Sequence, residues 1–202
     1  MLPFRPSLPC AVGLRNVKGA TEAGTACTMI AADGNRATSC FEKWRIRDTS
    51  KTYDYYVYDR WGAGVPGSGS GATEVAIRSR QRRGTEGSIA SLLDYWPGEG
   101  GDACNLANGT GSTQLGFGGG IADFSATFPI ASCVATDMSA DTRDFSMMSQ
   151  WKGRGAGAGA AGTRSSQFYV KLRTWQGKAP VMDDYLWTSF GRTSALQKSG
   201  RQ

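Results

Sequence analysis

The chain has 202 residues with 28 glycines, no histidine and a net charge of +6. Without histidine it cannot carry a Ser-His-Asp or Cys-His triad, a histidine general base or a histidine-ligated zinc ion, and no cofactor or metal is expected. The charge is mild and does not indicate nucleic acid as a partner, while the excess of glycine and proline indicates many turns rather than a helical bundle.

The N-terminal segment, residues 1–24, is punctuated by proline and glycine. We predict an extended arm that packs on something else rather than a core element. The segment lacks the uninterrupted apolar run that a secretory signal needs. Nowhere do 18 apolar residues follow one another, so neither export by a cleaved signal nor membrane insertion is expected.

The five cysteines include no C-x-x-C pair, which argues against a zinc site. We predict that all five are reduced, small, buried side chains. A Cys27–Cys40 disulfide is the alternative, because these two residues flank a turn-rich stretch.

Strand patterns begin near residue 40. Phe41, Trp44 and Ile46 lead through a predicted hairpin turn at 48–51 into an aromatic and β-branched run. Its aromatic residues could stack on sugar rings, but alternation between core and subunit interface is the preferred interpretation. They are Tyr53, Tyr55, Tyr56, Tyr58 and Trp61.

The middle of the chain alternates between loops and short elements. Residues 62–71 predict a flexible glycine-rich loop, and residues 74–80 predict a strand with Val75, Ile77 and Ser79 on one face. Residues 88–95 are the best helix candidate, ended by Pro97 and Gly98. The glycine-rich stretch 98–120 predicts a boundary, which divides the chain into 1–24, 25–120 and 121–202.

The C-terminal region predicts further strands over 121–128, 132–136, 144–151, 168–173 and 185–190, with a Gly/Ala-rich loop at 152–162 and a turn at 176–178. Short strands joined by glycine-rich turns indicate an all-β fold. We predict an antiparallel sandwich or barrel with long Gly-rich loops and an extended N-terminal arm.

Two sets of charged residues could carry chemistry. The first is a basic patch, which could bind an anion or nucleic acid but is better interpreted as a solvated, charged edge strand. It consists of Arg78, Arg80, Arg82 and Arg83. The second is the carboxylate pairs Asp141/Asp144 and Asp183/Asp184. Neighbours on a strand point to opposite faces, so Asp183 and Asp184 cannot readily share a glycosidase site, and a turn is expected there.

A more specific pattern follows residue 120. Thr127-Phe128-Pro129 precedes a small apolar stretch at 133–136, and an aromatic strand with Tyr185 and Trp187 later closes on Gly191-Arg192. In these features residues 121–192 resemble the C-terminal β-sandwich of bacteriophage tail-fibre proteins. There a Thr-Phe-Pro strand precedes an apolar strand, and an aromatic strand ends in Gly-Arg or Gly-Lys.

The resemblance implies a virion-surface protein, assembled in the host cytoplasm, that forms a homo-oligomer, usually a trimer, with contacts to other virion subunits. Its distal loops would contact a host glycan or protein. By position, the expected contact residues lie beside the Gly/Ala loop and at the hairpin tip. They are Trp151, Lys152, Arg154, Trp175, Gln176 and Lys178.

Attachment without catalysis is therefore the preferred prediction, and two alternatives stay open. The first is a structural virion protein, such as a capsid decoration, tail or capsid assembly subunit. The second is a polysaccharide-acting enzyme, which would need two carboxyls about 5–9.5 Å apart across a cleft. Loops gathered at one end favour receptor binding, whereas loops buried between subunits favour assembly.

Overall fold

The computed structural model describes residues 15–67, 71–96, 111–116, 125–130, 136–153, 164–191 and 194–201. Over these residues the chain is all-β, as predicted, and contains no helix. The strands are β1 (Arg15–Lys18), β2 (Ala20–Ala32), β3 (Asn35–Ile46), β4 (Tyr53–Val65), β5 (Ala72–Gln81), β6 (Ile89–Trp96), β7 (Gly111–Gly116), β8 (Ser125–Ile130), β9 (Thr136–Asp141), β10 (Ser146–Lys152), β11 (Arg164–Trp175), β12 (Met182–Phe190) and β13 (Ser194–Arg201).

Two five-stranded antiparallel sheets form a sandwich. The first sheet has the strand order β2-β3-β4-β11-β6, and the second has the order β13-β12-β5-β10-β9. A three-stranded sheet joins β1, β8 and β7. Each large sheet contains strands from both of the predicted regions 25–120 and 121–202: β11 lies among earlier strands in the first sheet, and β5 among later strands in the second. The segment that resembles tail fibres therefore contributes strands to all three sheets and does not form a separate sandwich.

The core lies between the two large sheets and follows the period-two pattern of the sequence. Val75, Ile77 and Ser79 share the inward face of β5, and none of the three has solvent exposure. Phe168 and Val170 of β11 cover them from the first sheet and are equally buried. The predicted alternation of β5 is confirmed, because the strand has one face against the opposite sheet.

A glycine on β4 lets the two sheets approach closely. The predicted loop at 62–71 is wrong for residues 62–65, which continue β4 to Val65. A Cβ atom at Gly62 would lie 2.5 Å from Ile77 Cγ2 and 3.0 Å from Leu186 Cδ1. This glycine is therefore explained by packing between sheets rather than by chain flexibility.

The helix expected over 88–95 is wrong, because these residues form most of β6. The segment pairs with β11 at the edge of the first sheet, where Leu92 lies opposite Leu172 and Ile89 opposite Thr174. So short a helix is marginal alone, and the edge of a sheet satisfies the same backbone groups. Asp183 and Asp184 likewise lie within β12 and not at a turn.

The structure also corrects the expected thiols and part of the expected arm. Cys27 on β2 lies opposite Cys40 on β3, and the two form a disulfide with a Cα–Cα distance of 4.1 Å. The alternative prediction is thus correct for this pair, while Cys10, Cys104 and Cys133 lie outside the described residues. Residues 15–18 and 20–24 belong to β1 and β2, because pairing with β8 and β3 satisfies their backbone groups.

Candidate functional site

Four short connections meet at one end of the sandwich, which we call the loop end. They are 47–52, 82–88, 142–145 and 176–181. Backbone hydrogen bonds join three of them, from Gln176 N to Thr52 O (2.9 Å), from Trp175 N to Ser88 O (3.2 Å) and from Arg82 N to Val181 O (3.0 Å). The 142–145 turn belongs here too, because Arg80 pairs with both Ser146 and Asp183 in register.

A polar cleft of about 450 Å³ opens at the loop end. It is lined by Thr21, Arg45, Ile46, Arg47, Asp48, Ser50, Asp54 and Gln176. Asp54 accepts hydrogen bonds from Arg45 Nη2 (2.7 Å) and Gly177 N (2.8 Å), while Asp48 accepts one from Ser50 N (2.7 Å). Both carboxylates are therefore used to fix the cleft's shape.

An aromatic pair, Tyr53 and Trp175, also lies at the loop end; the two residues directly precede the cleft residues Asp54 and Gln176 but do not line the cleft. Trp175 is 45% exposed, and its ring lies 5.0 Å from that of Tyr53, centroid to centroid. The guanidinium of Arg173 lies 4.3 Å from the Tyr53 ring centroid on the same pair of strands. Such stacking fixes the rings while one face of the indole stays in solvent.

The hairpin residues expected to make contacts are brought together at the loop end. Gln176 lines the cleft, and the adjacent Gly177 has a φ of 76°, which the turn requires. Lys178 closes the turn through its backbone, since its N–H donates to Trp175 O (2.9 Å) and its carbonyl accepts from Thr174 Oγ1 (2.8 Å). Its ammonium is exposed beside the turn.

The contact residues expected beside the Gly/Ala loop lie at the opposite end. Lys152 pairs in register with Glu74, six residues before Arg80 on β5, and its Nζ lies 3.6 Å from the Glu74 carboxylate. Trp151 is only 5% exposed and packs against Val75 and Phe190. The expectation of a binding role for Trp151 is corrected, because it is an inward residue of β10. Arg154 lies outside the described residues.

The basic patch divides into two pairs in the structure. Arg78 Nε donates to Ser146 Oγ (3.0 Å), and Arg82 Nε pairs with Asp183 Oδ1 (3.0 Å). Arg80 and Arg83 instead line a basic pocket of about 280 Å³ together with a third arginine that sequence reasoning missed. The pocket is lined by Arg80, Gln81, Arg83, Glu86, Arg143 and Asp144.

A buried polar cluster lies deeper in the sandwich. Asp184 is 5% exposed and accepts hydrogen bonds from Ser79 Oγ and from Tyr58 Oη (2.8 Å to Oδ2). Arg60 Nε lies 3.4 Å from Asp184 Oδ1. Burial raises the pKa of Asp184, while Arg60 and the hydroxyl donors oppose that shift. The cluster is closed from solvent, so it serves the fold and offers no group to a substrate.

Asp59 is a second buried carboxyl, with no exposure, and Gln167 Nε2 donates to it (3.1 Å). Burial raises its pKa well above the usual range. A carboxyl with a raised folded-state pKa stabilises the fold below its unfolded pKa and loses that contribution as pH rises. We therefore expect Asp59→Asn, which can still accept from Gln167, to stabilise the protein increasingly from pH 4 to pH 7.

Urea unfolding at several pH values checks this prediction. The wild-type protein should lose stability over this interval more steeply than the Asp59→Asn variant. An equal pH dependence for the two proteins would contradict it.

No protein-family model matches the sequence, and neither does any curated protein. A solved structure titled "Pore forming protein" is similar with a TM-score of 0.44 and 10% identity, over 89% of this chain and 86% of that one. The membrane-inserted form of the Clostridium perfringens NetB toxin gives 0.40 and 10%, over 90% and 91%.

A third similar structure is the C-terminal domain of the Streptococcus agalactiae AgI/II polypeptide BspA, with a TM-score of 0.35 and 8% identity over 82% and 57% of the two chains. Similarities at these scores carry no argument about function. Within the described part of the chain, no helix is long and apolar enough to cross a membrane. The same residues hold no group of three or more Cys, Asp or Glu side chains placed to bind a metal ion.

Proposed function

We propose that the protein is a non-catalytic receptor-binding module that recognises a saccharide at the loop end. The observation that carries the proposal is the exposed Trp175, stacked on Tyr53 at the loop end and next in sequence to Gln176, which lines the polar cleft. We further propose that the module belongs to a phage virion and acts as a homo-oligomer, with a trimer favoured. This part is supported only by the resemblance of residues 121–192 to tail-fibre proteins.

The physical fit to a sugar comes from two complementary surfaces. A pyranose ring presents apolar C–H faces, which pack on an indole, and a rim of hydroxyls, which need hydrogen-bond partners. The cleft offers such partners in Arg47, Ser50 and Gln176. Its volume of about 450 Å³ lies within the range of roughly 300–1,000 Å³ that small-molecule sites occupy.

The geometry also supports binding without hydrolysis. A glycosidase needs one carboxyl that can donate a proton and a second that is free to act as base or nucleophile. The cleft carboxylates Asp48 and Asp54 are instead held by backbone N–H groups and by Arg45. Polysaccharide incubated with the protein is therefore expected to keep its chain length.

Trp175→Ala is expected to weaken saccharide binding about fivefold, since stacking on one aromatic ring is worth on the order of 1 kcal/mol. The measurement is binding of the wild-type chain to an array of bacterial surface polysaccharides, followed by titration of the best ligand. Leu93→Ala is the matched control, because Leu93 is similarly exposed (42%) but lies on β6 outside the cleft.

Far-ultraviolet circular dichroism and thermal unfolding check that both variants fold. If Trp175→Ala does not fold, Gln176→Ala provides a second test, because Gln176 lines the cleft. An array on which the wild-type chain binds no polysaccharide contradicts the proposal. Equal affinities of the Trp175→Ala and Leu93→Ala variants also contradict it. Light scattering tests the trimer separately, through a molar mass three times the 21.5 kDa of the chain.

A structural virion role is the second candidate, and one observation favours it. Strand β2 is thirteen residues long, lies at the edge of the first sheet and exposes most of its side chains, including Met29 at 58%. A long open edge can pair with another chain. Under this alternative, assembly with other subunits depends on β2, and Trp175→Ala leaves that assembly unchanged.

A further inference from the structure

The basic pocket at the loop end has three guanidinium groups that the rest of the described chain does not neutralise. Among residues with described side chains, Arg80, Arg83 and Arg143 take part in no ion pair, in contrast to Arg82, which pairs with Asp183. Glu86 and Asp144 line the same pocket without coming within ion-pairing distance of the arginines. The pocket therefore concentrates positive charge on a concave surface.

The backbone around the pocket is held in place by side-chain hydrogen bonds within the protein. Asp141 Oδ1 accepts from the backbone N–H groups of Arg143 (2.8 Å) and Asp144 (3.3 Å), which fixes the turn that carries Arg143. On the other side, Gln81 Nε2 donates to Thr85 O (2.8 Å) and Ser88 Oγ (2.9 Å). Both walls are thus ordered without any ligand.

Arg80 adds a second and independent observation. Its Nε atom is buried and has no hydrogen-bond partner within the described part of the molecule. The guanidinium lies 5.4 Å from the ring centroid of Tyr185, so its plane is supported from one side. A buried donor without an acceptor is destabilising, and an acceptor brought by a ligand would remove that cost.

We propose that the basic pocket binds the oxyanion group, a carboxylate or a sulfate ester, of an acidic sugar residue. Guanidinium groups match both oxyanions through paired hydrogen bonds. The volume of about 280 Å³ lies just below the range of roughly 300–1,000 Å³ for sites of drug-sized ligands, which is consistent with a single sugar residue. This inference rests on the proposed function, because it makes the pocket a second subsite for the saccharide that Trp175 and the polar cleft recognise.

The two carboxylates favour an acidic sugar over a nucleic acid. Closely spaced phosphates would be repelled by Glu86 and Asp144 at the pocket wall. A sugar carries one oxyanion among several hydroxyls, and a hydroxyl donates well to a carboxylate. Glu86 has one oxygen engaged by Gly84 N (2.6 Å), which leaves its second oxygen to accept from a ligand.

The test is an NMR titration of the full chain, labelled with ¹⁵N, with four probes. These are methyl glucuronide, glucose 6-sulfate, the neutral methyl glucoside and inorganic sulfate. The acidic sugars are expected to shift the amide signals of Gly84 and Arg143 and to bind at least about tenfold more tightly than methyl glucoside. The two acidic sugars together distinguish a carboxylate from a sulfate ester.

Variants separate a defined site from general attraction to a basic protein. Arg143→Gln and Arg83→Gln should each weaken binding of the acidic sugars about tenfold. Arg82→Gln removes the same charge at the same end of the sandwich but should leave binding within twofold, because Arg82 already pairs with Asp183. Should Arg143→Gln perturb the turn, Arg83→Gln provides the same test from the 82–88 connection.

Three results would overturn the inference. Methyl glucoside could bind as tightly as methyl glucuronide, Arg82→Gln could weaken binding as much as Arg143→Gln, or inorganic sulfate could bind as tightly as the sulfated sugar. The proposed function fails differently, through a Trp175→Ala variant that retains full polysaccharide binding. In that case the acidic monosaccharides would still shift the pocket signals if the pocket is an oxyanion site.

Discussion

Asp184→Ala is expected to lower the free energy of unfolding by about 3–5 kcal/mol, the cost of removing one partner of a buried ion pair. The reason is the set of groups left behind. Arg60 is 3% exposed and would keep its charge inside the sandwich, while Tyr58 and Ser79, both fully buried, would lose the acceptor of their hydroxyl groups. Denaturation by guanidinium chloride at pH 7 measures the loss.

The neighbouring residue supplies the matched control. Asp183 points to the opposite face of β12 and pairs with Arg82, where both side chains reach solvent. Such a pair contributes about 0–1 kcal/mol, so Asp183→Ala should change stability far less than Asp184→Ala. Similar losses for the two variants would contradict the view that the buried cluster holds the sheets together.

Gly62→Ala is expected to destabilise the protein by about 1–3 kcal/mol through overpacking. The added methyl would meet Ile77 Cγ2 at 2.5 Å, and Ile77 is a fully buried, β-branched side chain that cannot rotate away. The direction of this change in stability distinguishes overpacking from the usual effect of the substitution. Where there is room, a change from glycine to alanine stabilises by roughly 0.4–1 kcal/mol, because the unfolded chain loses freedom.

Two further variants test the mechanism. At Gly64 the nearest atoms would lie 3.2 Å or more from an added Cβ atom, so Gly64→Ala should cost less than Gly62→Ala. In a double-mutant cycle, Ile77→Ala should remove the clash, so the loss of stability in the double variant should be smaller than the sum of the two single losses. Additive losses would show that contact with Ile77 is not the cause.

Much of the fold could be predicted because period-two patterns report burial directly. Val75, Ile77 and Ser79 were expected on one face of a strand, and all three are in the core. In the aromatic run, the sequence pattern predicts the burial of only some side chains. Tyr56, Tyr58 and Trp61 are buried, as the preferred interpretation requires, but Tyr53 lies in the surface stack. Tyr53 lies at the surface because it is the first residue of β4, and the exact ends of strands are difficult to predict from sequence.

The candidate site could be predicted only in part, since it depends on contacts between distant segments. Exposed positions at the hairpin tip, such as Trp175 and Gln176, follow from the turn signal at 176–178. The third arginine of the basic pocket could not be found, because no local signal places the turn at Arg143 beside β5. Trp151 misled for a related reason: it was expected at the end of a strand and beside a loop, and only the packing of β10 shows that it points inward against Val75 and Phe190.

The interleaved strand order has a consequence for synthesis on the ribosome. Strand β5 lies between β10 and β12 and acquires its first neighbour only after residue 145, while β4, already paired with β3, lacks its second neighbour β11 until then. Until then, their apolar faces and unpaired edges are open to other nascent chains. The sandwich closes late and as a whole, and the yield of native protein should depend on chaperones that shield the first half while the second is made.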